Sequence, residues 1–447
     1  MFKVGYAQEI ITPPVGVGLA GYFNARPNDG MYDDLMAKAM VFESKGRRFG
    51  FLVLDLESCC ERLFRDIEAG LRKEVGDALA DAMIVSATHT HTGPQFITEK
   101  PSYCRQDAAE YAYQMTVAAS LRAVKRAVMN LLPAEVHAGS VYNNPYAFVR
   151  RYWMKNGTIV TNPGWCNPDI DRPESDFDRT INILKVVQNG RVSALLCNIG
   201  NHGDTIGGNT VSADWYGRFT QEIQYKLQCS LPVLVVDDAS GDLNHFDFHQ
   251  KINQSSYKEA NRIGKGYAAI VLDALDTLEP MTEDDVVVSN GMVVIPHRQI
   301  SDAEAAEARR TLETVPDIKK DGDLESQDLA NKVPAALRFF AQRVLDCREK
   351  STPSHTCRLT SIKVGKQLAF VSLPGEPFNG ISRAIREESP CKYTFVIELA
   401  QSSSDYIPMP ECFERGGYEV QAGVNTPAPN AANVLIKAAL DTLNGKA

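Results

Sequence analysis

Two short apolar runs, 82–87 and 194–199, each break at a turn that carries histidine, and this repeated pattern constrains the fold most. The first run closes in Thr88-His89-Thr90-His91-Thr92 and stops at Gly93-Pro94. The second closes in Gly200-Asn201-His202-Gly203-Asp204. Apolar runs of this length bounded by glycine and proline read as buried strands. Residues two apart on a strand point to one side, so the spacing predicts that His89 and His91 project together from a strand end. Neutral imidazole is a common metal ligand, and such a pair makes half a metal site. The other reading is two polar strand-end residues bonded to a loop. The glycines at 200 and 203 permit unusual backbone angles around His202, which either shares a site with His89 or is structural.

A carboxylate comes from Leu373-Pro374-Gly375-Glu376-Pro377-Phe378. A strand ends, a glycine turn follows, and Pro377 suits the first turn of a helix. Glu376 is therefore expected at a helix amino terminus, where the dipole favours its ionised form. It is either a metal ligand or an ordinary helix-start acid. In Ser212-Ala213-Asp214-Trp215, Ser212 or Asp214 is placed to cap a helix from Tyr216.

Periodicity predicts strands over 49–55, 83–87, 135–140, 181–187, 193–199, 233–236, 286–294, 359–364, 368–373 and 394–398. Helices are predicted over 61–75, 108–130, 216–228, 257–278, 303–314, 324–346, 378–387 and 431–443. The interleaving is irregular, which predicts a mixed α/β or α+β fold, mixed β-sheets flanked by helices, rather than a strict βαβ repeat. The Pro/Asn/Asp-rich stretch 161–178 reads as a long loop, either a lid carrying Trp165 or a solvated excursion. Residues 315–323 read as a surface linker. His245 and His249 would face one way on a helix, in a surface or supporting role.

A net charge of −9 without a basic cluster argues against nucleic acid as the main partner. No stretch approaches a bilayer-spanning length, and the amino terminus lacks the apolar core of a secretory signal. Ten scattered cysteines without a C-x-x-C pair suit a reducing cytoplasm, and a cytoplasmic location is expected. The strand at 233–236 followed by Asp237-Asp238 has no G-x-x-x-x-G-K-[ST] partner, which argues against an ATPase. The metallo-β-lactamase pattern fails because Thr92-Gly93-Pro94 follow the histidines, and a TIM barrel would alternate more regularly.

Taken in order, these pieces resemble the neutral/alkaline ceramidase family along most of the chain. They are Val4-Gly5-Tyr6-Ala7 with Ile11-Thr12-Pro13-Pro14 and Gly21-Tyr22, then Ser86 to Pro94, then Asn201-His202 with Ser212 to Trp215. Gly241-Asp242-Leu243-Asn244, Pro374-Gly375-Glu376, Asp405-Tyr406-Ile407-Pro408 and Gly417-Tyr418-Glu419 complete the series. The resemblance implies a zinc hydrolase with His89, His202, Glu376 and Tyr406 as metal ligands. It implies His91 as a proton-handling residue and Tyr418 as a second active-site tyrosine. It implies Arg150 as the active-site arginine, with the adjacent Arg151 as the alternative. Such a site fits zinc chemistry, which activates water and polarises a carbonyl.

Where that family has a serine implicated in catalysis, this chain has Asn244, which is not an activated nucleophile. Ser240 reads as a turn residue. Neither a carboxy-terminal β-sandwich nor a membrane-docking segment is evident, so 1–447 is expected to form one catalytic domain acting on a small soluble molecule. The leading expectation is a zinc-dependent amidase-like hydrolase working through metal-activated water. A lactonase or esterase on a sugar- or polyol-derived substrate is the close variant, and an inactive metal-containing binding relative is the alternative that Asn244 raises.

Overall fold

The computed structural model describes residues 2–23, 25–96, 106–318, 324, 328 and 331–446. Its main sheet contains β1 (Phe2–Ile10), β2 (Met36–Ser44), β3 (Arg47–Leu54), β4 (Met83–Ala87), β5 (Leu132–Tyr142), β6 (Thr180–Gln188), β7 (Arg191–Ile199) and β8 (Val233–Asp237). Their order is β8-β7-β6-β5-β1-β2-β3-β4. The pairings at its two ends, β7–β8 and β3–β4, are parallel, and those between are antiparallel. A second sheet runs β9 (Val286–Pro296), β10 (Ser354–Val364), β11 (Leu368–Ser372) and β12 (Tyr393–Ile397). Its last pair, β11–β12, is also parallel.

The two sheets pack face to face. Phe42, Phe49, Phe51, Leu196 and Val236 from the first meet Ile362, Phe370, Phe395 and Ile397 from the second. Phe51 and Phe370 approach to 4.6 Å between ring centroids. Helices α1 (Glu61–Val75) and α2 (Gln106–Met129) cover one half of the main sheet's outer face through Leu63, Ile67, Leu71, Tyr113 and Val124. Helices α3 (Asp214–Leu227) and α4 (Tyr257–Ala274) cover the other half through Trp215, Phe219, Ile263 and Val271. Helices α5 (Asp302–Thr314) and α6 (Pro334–Glu349) pair with each other through Ala308 and Ala341. Helices α7 (Asn379–Glu388) and α8 (Ala431–Leu443) cover the second sheet through Ile381, Ile385, Leu435 and Ala439. The order of layers is helix, sheet, sheet, helix. Sheets covered on both faces explain why the strands read as continuous apolar runs rather than alternating ones.

The expected mixed α/β architecture is what forms, and β4, α1 and α8 have their expected bounds. Strand β2 was not anticipated because its Met and Ala residues carry little strand preference. Burial decides instead, with Lys38 on β2 paired to Asp55 at 3.1 Å inside the core. The stretch 161–178 is not a plain loop. Ile159–Thr161 and Ile170–Pro173 flank Arg151–Met154 in a three-stranded arm. Residues 245–249 are not helical, so His245 and His249 do not share a helix face. Cys104, 319–323 and 325–327 lie outside the described residues. Among the described residues no helix is long and apolar enough to cross a membrane.

The carboxyl ends of the parallel strands position the site. The chain leaving β4 carries His89 and His91, that leaving β7 carries His202, that leaving β11 carries Glu376, and that leaving β12 carries Tyr406. This is where open α/β sheets place their ligands.

Candidate metal-binding site

The ring nitrogens of His89, His91 and His202 lie within 4.8 Å of one another in a cluster that can hold a metal ion. His89 Nε2 is 3.1 Å from His202 Nε2 and 3.4 Å from His91 Nε2. The strand alternation expected for His89 and His91 does not bring them together. β4 ends at Ala87, and His89 adopts a left-handed backbone with φ of 70°. Such a conformation is uncommon outside glycine and is held here by the surroundings. His89 Nδ1 donates to the Glu57 carbonyl at 2.7 Å, which turns Nε2 toward the cluster.

Glu376 does not start a helix. Glu376–Pro377 is extended and pairs in parallel with Tyr406–Ile407, Glu376 opposite Tyr406. Helix α7 begins only at Asn379, because Phe378 remains extended. Glu376 Oε2 lies 3.5 Å from both His89 Nε2 and His202 Nε2. That oxygen is buried without a hydrogen-bond partner among the described residues.

Arg150 Nη1 approaches His202 Nε2 to 3.3 Å, and its guanidinium lies 4.9 Å from the Tyr406 ring centroid. Arg151 is the wholly buried neighbour, paired to Glu174 at 2.5 Å and to Glu419 at 2.6 Å. Glu419 also holds Arg150 at 2.8 Å, so one carboxylate orients both arginines. Tyr418 stands 6.0 Å from Tyr406 between ring centroids. Asn244 is buried, donating to Asn162 at 2.8 Å and accepting from the Phe246 N–H at 3.0 Å. Ser240 donates to Glu398 at 2.6 Å, and the Glu398 carboxylate also accepts the Ser240 N–H at 3.0 Å.

The scaffold beneath His202 is dense. Trp215 Nε1 donates to the His202 carbonyl at 3.0 Å, and Tyr216 donates to the Asn201 carbonyl at 3.0 Å. Asp214 does not cap α3, whose amino-terminal flanking residue is Ala213. Its carboxylate accepts the N–H of Trp215 in the first turn of α3 at 2.6 Å and also those of Thr205 and Ile206 at 2.9 and 3.0 Å, gripping the turn after His202.

A cavity of about 560 Å³ opens on the cluster, lined by His91, His202, Arg150, Tyr406 and Tyr418. Trp165, Phe246 and Phe248 form an aromatic wall, and Tyr22, Arg26 and Asp204 a polar one. A larger cavity of about 790 Å³ shares only Thr161 and Tyr418 with it. The sequence pattern assigns no role to Tyr22, Asp204 or Glu419. No local spacing marks them, since Tyr22 and Asp204 meet across 182 positions.

Burial opposes charge on His89, yet the Glu376 carboxylate beside it raises its pKa to about 9. Burial and then His89 push His91 down to about 3, and burial, His89 and Arg150 push His202 well below the usual range. Burial would raise Glu376, but His89 and Arg150 outweigh it and hold the carboxylate ionised. Burial, then Glu376, raises the Tyr406 hydroxyl well above its ordinary value. Donors around a tetrahedral zinc, each about 2.0–2.1 Å from the ion, stand about 3.3 Å apart. The spacings of 3.1, 3.4 and 3.5 Å and the unpartnered oxygen of Glu376 fit a small divalent cation.

Residues 2–206 match the family model described as neutral/alkaline non-lysosomal ceramidase, N-terminal, a segment that includes His89, His91, Arg150 and His202. The neutral ceramidase from Pseudomonas aeruginosa shares the fold with a TM-score of 0.72 and 16% identity, over 99% of this chain and 74% of that one. A ceramidase complexed with C2 gives the same values, TM-score 0.72 and 16% identity over 99% and 74% of the two chains. No curated protein matches the chain in sequence.

Proposed function

The chain carries the amino-terminal domain of the neutral/alkaline non-lysosomal ceramidase family over residues 2–206, and on that premise we propose a zinc-dependent hydrolase that cleaves an amide-type bond in a small soluble substrate. The observation that carries this reading is the convergence of His89 Nε2, His202 Nε2 and Glu376 Oε2 at 3.1 to 3.5 Å. On this reading His89, His202, Glu376 and Tyr406 hold the metal. When bound, zinc polarises the scissile carbonyl and lowers the pKa of water to about 7.

The chain's own groups supply the rest. Arg150, fixed by Glu419, presents a permanent cation to the oxyanion that develops at the carbonyl. His91 is kept neutral by burial, so one ring nitrogen offers an N–H and the other a lone pair beside the reacting bond. Tyr418, in the cavity wall, offers a hydroxyl donor. Asn244 holds Asn162, a cavity residue, and so shapes the site rather than attacking the substrate. The aromatic wall limits water around the reacting bond. A cavity of about 560 Å³ is of small-molecule size, which supports a small substrate.

The polar wall of Tyr22, Asp204 and Asn209 favours one second reading, a lactonase or esterase acting on a sugar- or polyol-derived compound. Turnover of N-acyl amides and of sugar lactones, each before and after dialysis against a chelator, separates the two. Chelator-sensitive amide hydrolysis supports the proposal, and chelator-sensitive lactone hydrolysis alone supports the second reading. A metal-loaded protein that hydrolyses neither would be a binding relative.

A further inference from the structure

Asp204 takes no part in the chemistry above, yet it stands in the wall of the cavity that His91 and His202 line. Its Oδ1 lies 3.8 Å from His91 Nδ1, whereas the far nitrogen of that ring, Nε2, lies 3.4 Å from His89 Nε2. The His91 imidazole therefore stands between this carboxylate and His89. The Tyr22 hydroxyl donates to Asp204. Tyr22 is itself held by Arg26, whose guanidinium covers the ring at 3.8 Å while donating to the carbonyls of Gly208 and His91 at 2.8 and 2.5 Å. Asp204 keeps 26% of its side chain exposed, so it is not sealed behind its partners.

A carboxylate has about four acceptor positions and no donor. One is taken by Tyr22, and a carboxylate withdrawn from bulk water is costly unless the others are met. Trp165, Phe246 and Phe248, which line the same cavity, have the opposite character and suit an apolar edge of the same ligand. We infer that Asp204 is a specificity residue that accepts a hydrogen bond from a hydroxyl or amino group carried by the substrate close to its scissile bond. The enzyme then selects compounds bearing such a donor over their alkyl isosteres. The inference rests on the hydrolase reading only for the word substrate, because the recognition itself is a binding property.

Three isosteric probes test it: N-(2-hydroxyethyl)acetamide, N-(2-aminoethyl)acetamide and N-propylacetamide. Their kcat/KM values are compared for the wild type and Asp204→Ala, and their affinities for the metal-depleted proteins are measured by calorimetry. The wild type is expected to favour both donor-bearing probes by about tenfold, the worth of one hydrogen bond to a charged acceptor. Asp204→Ala should bring the three together by lowering the first two. A uniform fall for all three would mean that Asp204 merely positions His91, and the inference would be overturned. Asp204→Asn, close to isosteric, guards against a misfolded alanine variant. It should lose the preference for the amino probe and keep most of that for the hydroxyl probe, and an unchanged amino preference would also overturn the inference. A tenfold preference in binding without any hydrolysis would uphold the role of Asp204 while refuting the hydrolase. No preference in either measurement refutes the role.

Discussion

The Gly203 carbonyl accepts the N–H of His91 over 2.9 Å, tying the chain that leaves β4 to the chain that leaves β7. The approach is so close that a Cβ on Gly203 would sit 2.6 Å from the His89 carbonyl oxygen and 2.6 Å from the Tyr216 ring. Gly203→Ala is therefore expected to destabilise by about 1–3 kcal/mol and to lower bound metal, read by urea unfolding and elemental analysis. Gly30→Ala, where nothing lies within 4 Å, is the control and should change neither. A Gly203→Ala protein with wild-type stability and metal would contradict the role given to this contact.

Arg151 is buried between Glu174 and Glu419, and Glu419 also fixes Arg150. Removing one member of a buried charge network leaves its partners uncompensated, at a cost of about 3–5 kcal/mol. Arg151→Leu should lose that much stability in denaturant titration. Arg151→Lys should recover only part of it, since a single ammonium cannot span two carboxylates as a guanidinium does. Equal stability of the lysine variant and the wild type would show that geometry is unimportant there.

Asp242 accepts the Asn379 N–H at 2.7 Å, but burial raises its pKa to about 6. A carboxyl whose folded pKa lies above its unfolded value, about 3.9, keeps its proton longer in the folded state. Folded protein then binds more protons between about pH 4 and about pH 6, so this group costs stability progressively as pH rises through that window. Asp242→Asn should gain on the wild type there, by up to about 1.4 kcal/mol per pH unit. A difference between the two proteins that stays flat from pH 4 to pH 7 would show that Asp242 titrates normally.

Much of this was legible in the sequence because glycine and proline mark strand ends. Gly200 and Gly203 flank His202, and Gly375 precedes Glu376, which placed each residue at a strand end, whereas grouping them with His89 and Tyr406 rested on the resemblance. What brings them together was less legible. The left-handed backbone of His89 has no local signal, and the pairing of Glu376 with Tyr406 displaced an expected helix start. Asp214 was read as a helix cap because its grip on Thr205 and Ile206 depends on a turn folded back over α3. Asp204 and Tyr22 acquire meaning only as a contact, and Glu419 only through two arginines in a distant arm.

The central claim, that His89, His202 and Glu376 share one cation, is tested most directly by the metal content of purified protein. Elemental analysis of the wild type should give about one zinc per chain, the stoichiometry of a mononuclear site. His89→Ala, His202→Ala and Glu376→Ala, each checked for folding by circular dichroism, should each lose most of it. Full zinc occupancy in any of these variants, or a folded wild type that takes up no divalent metal, would contradict the account.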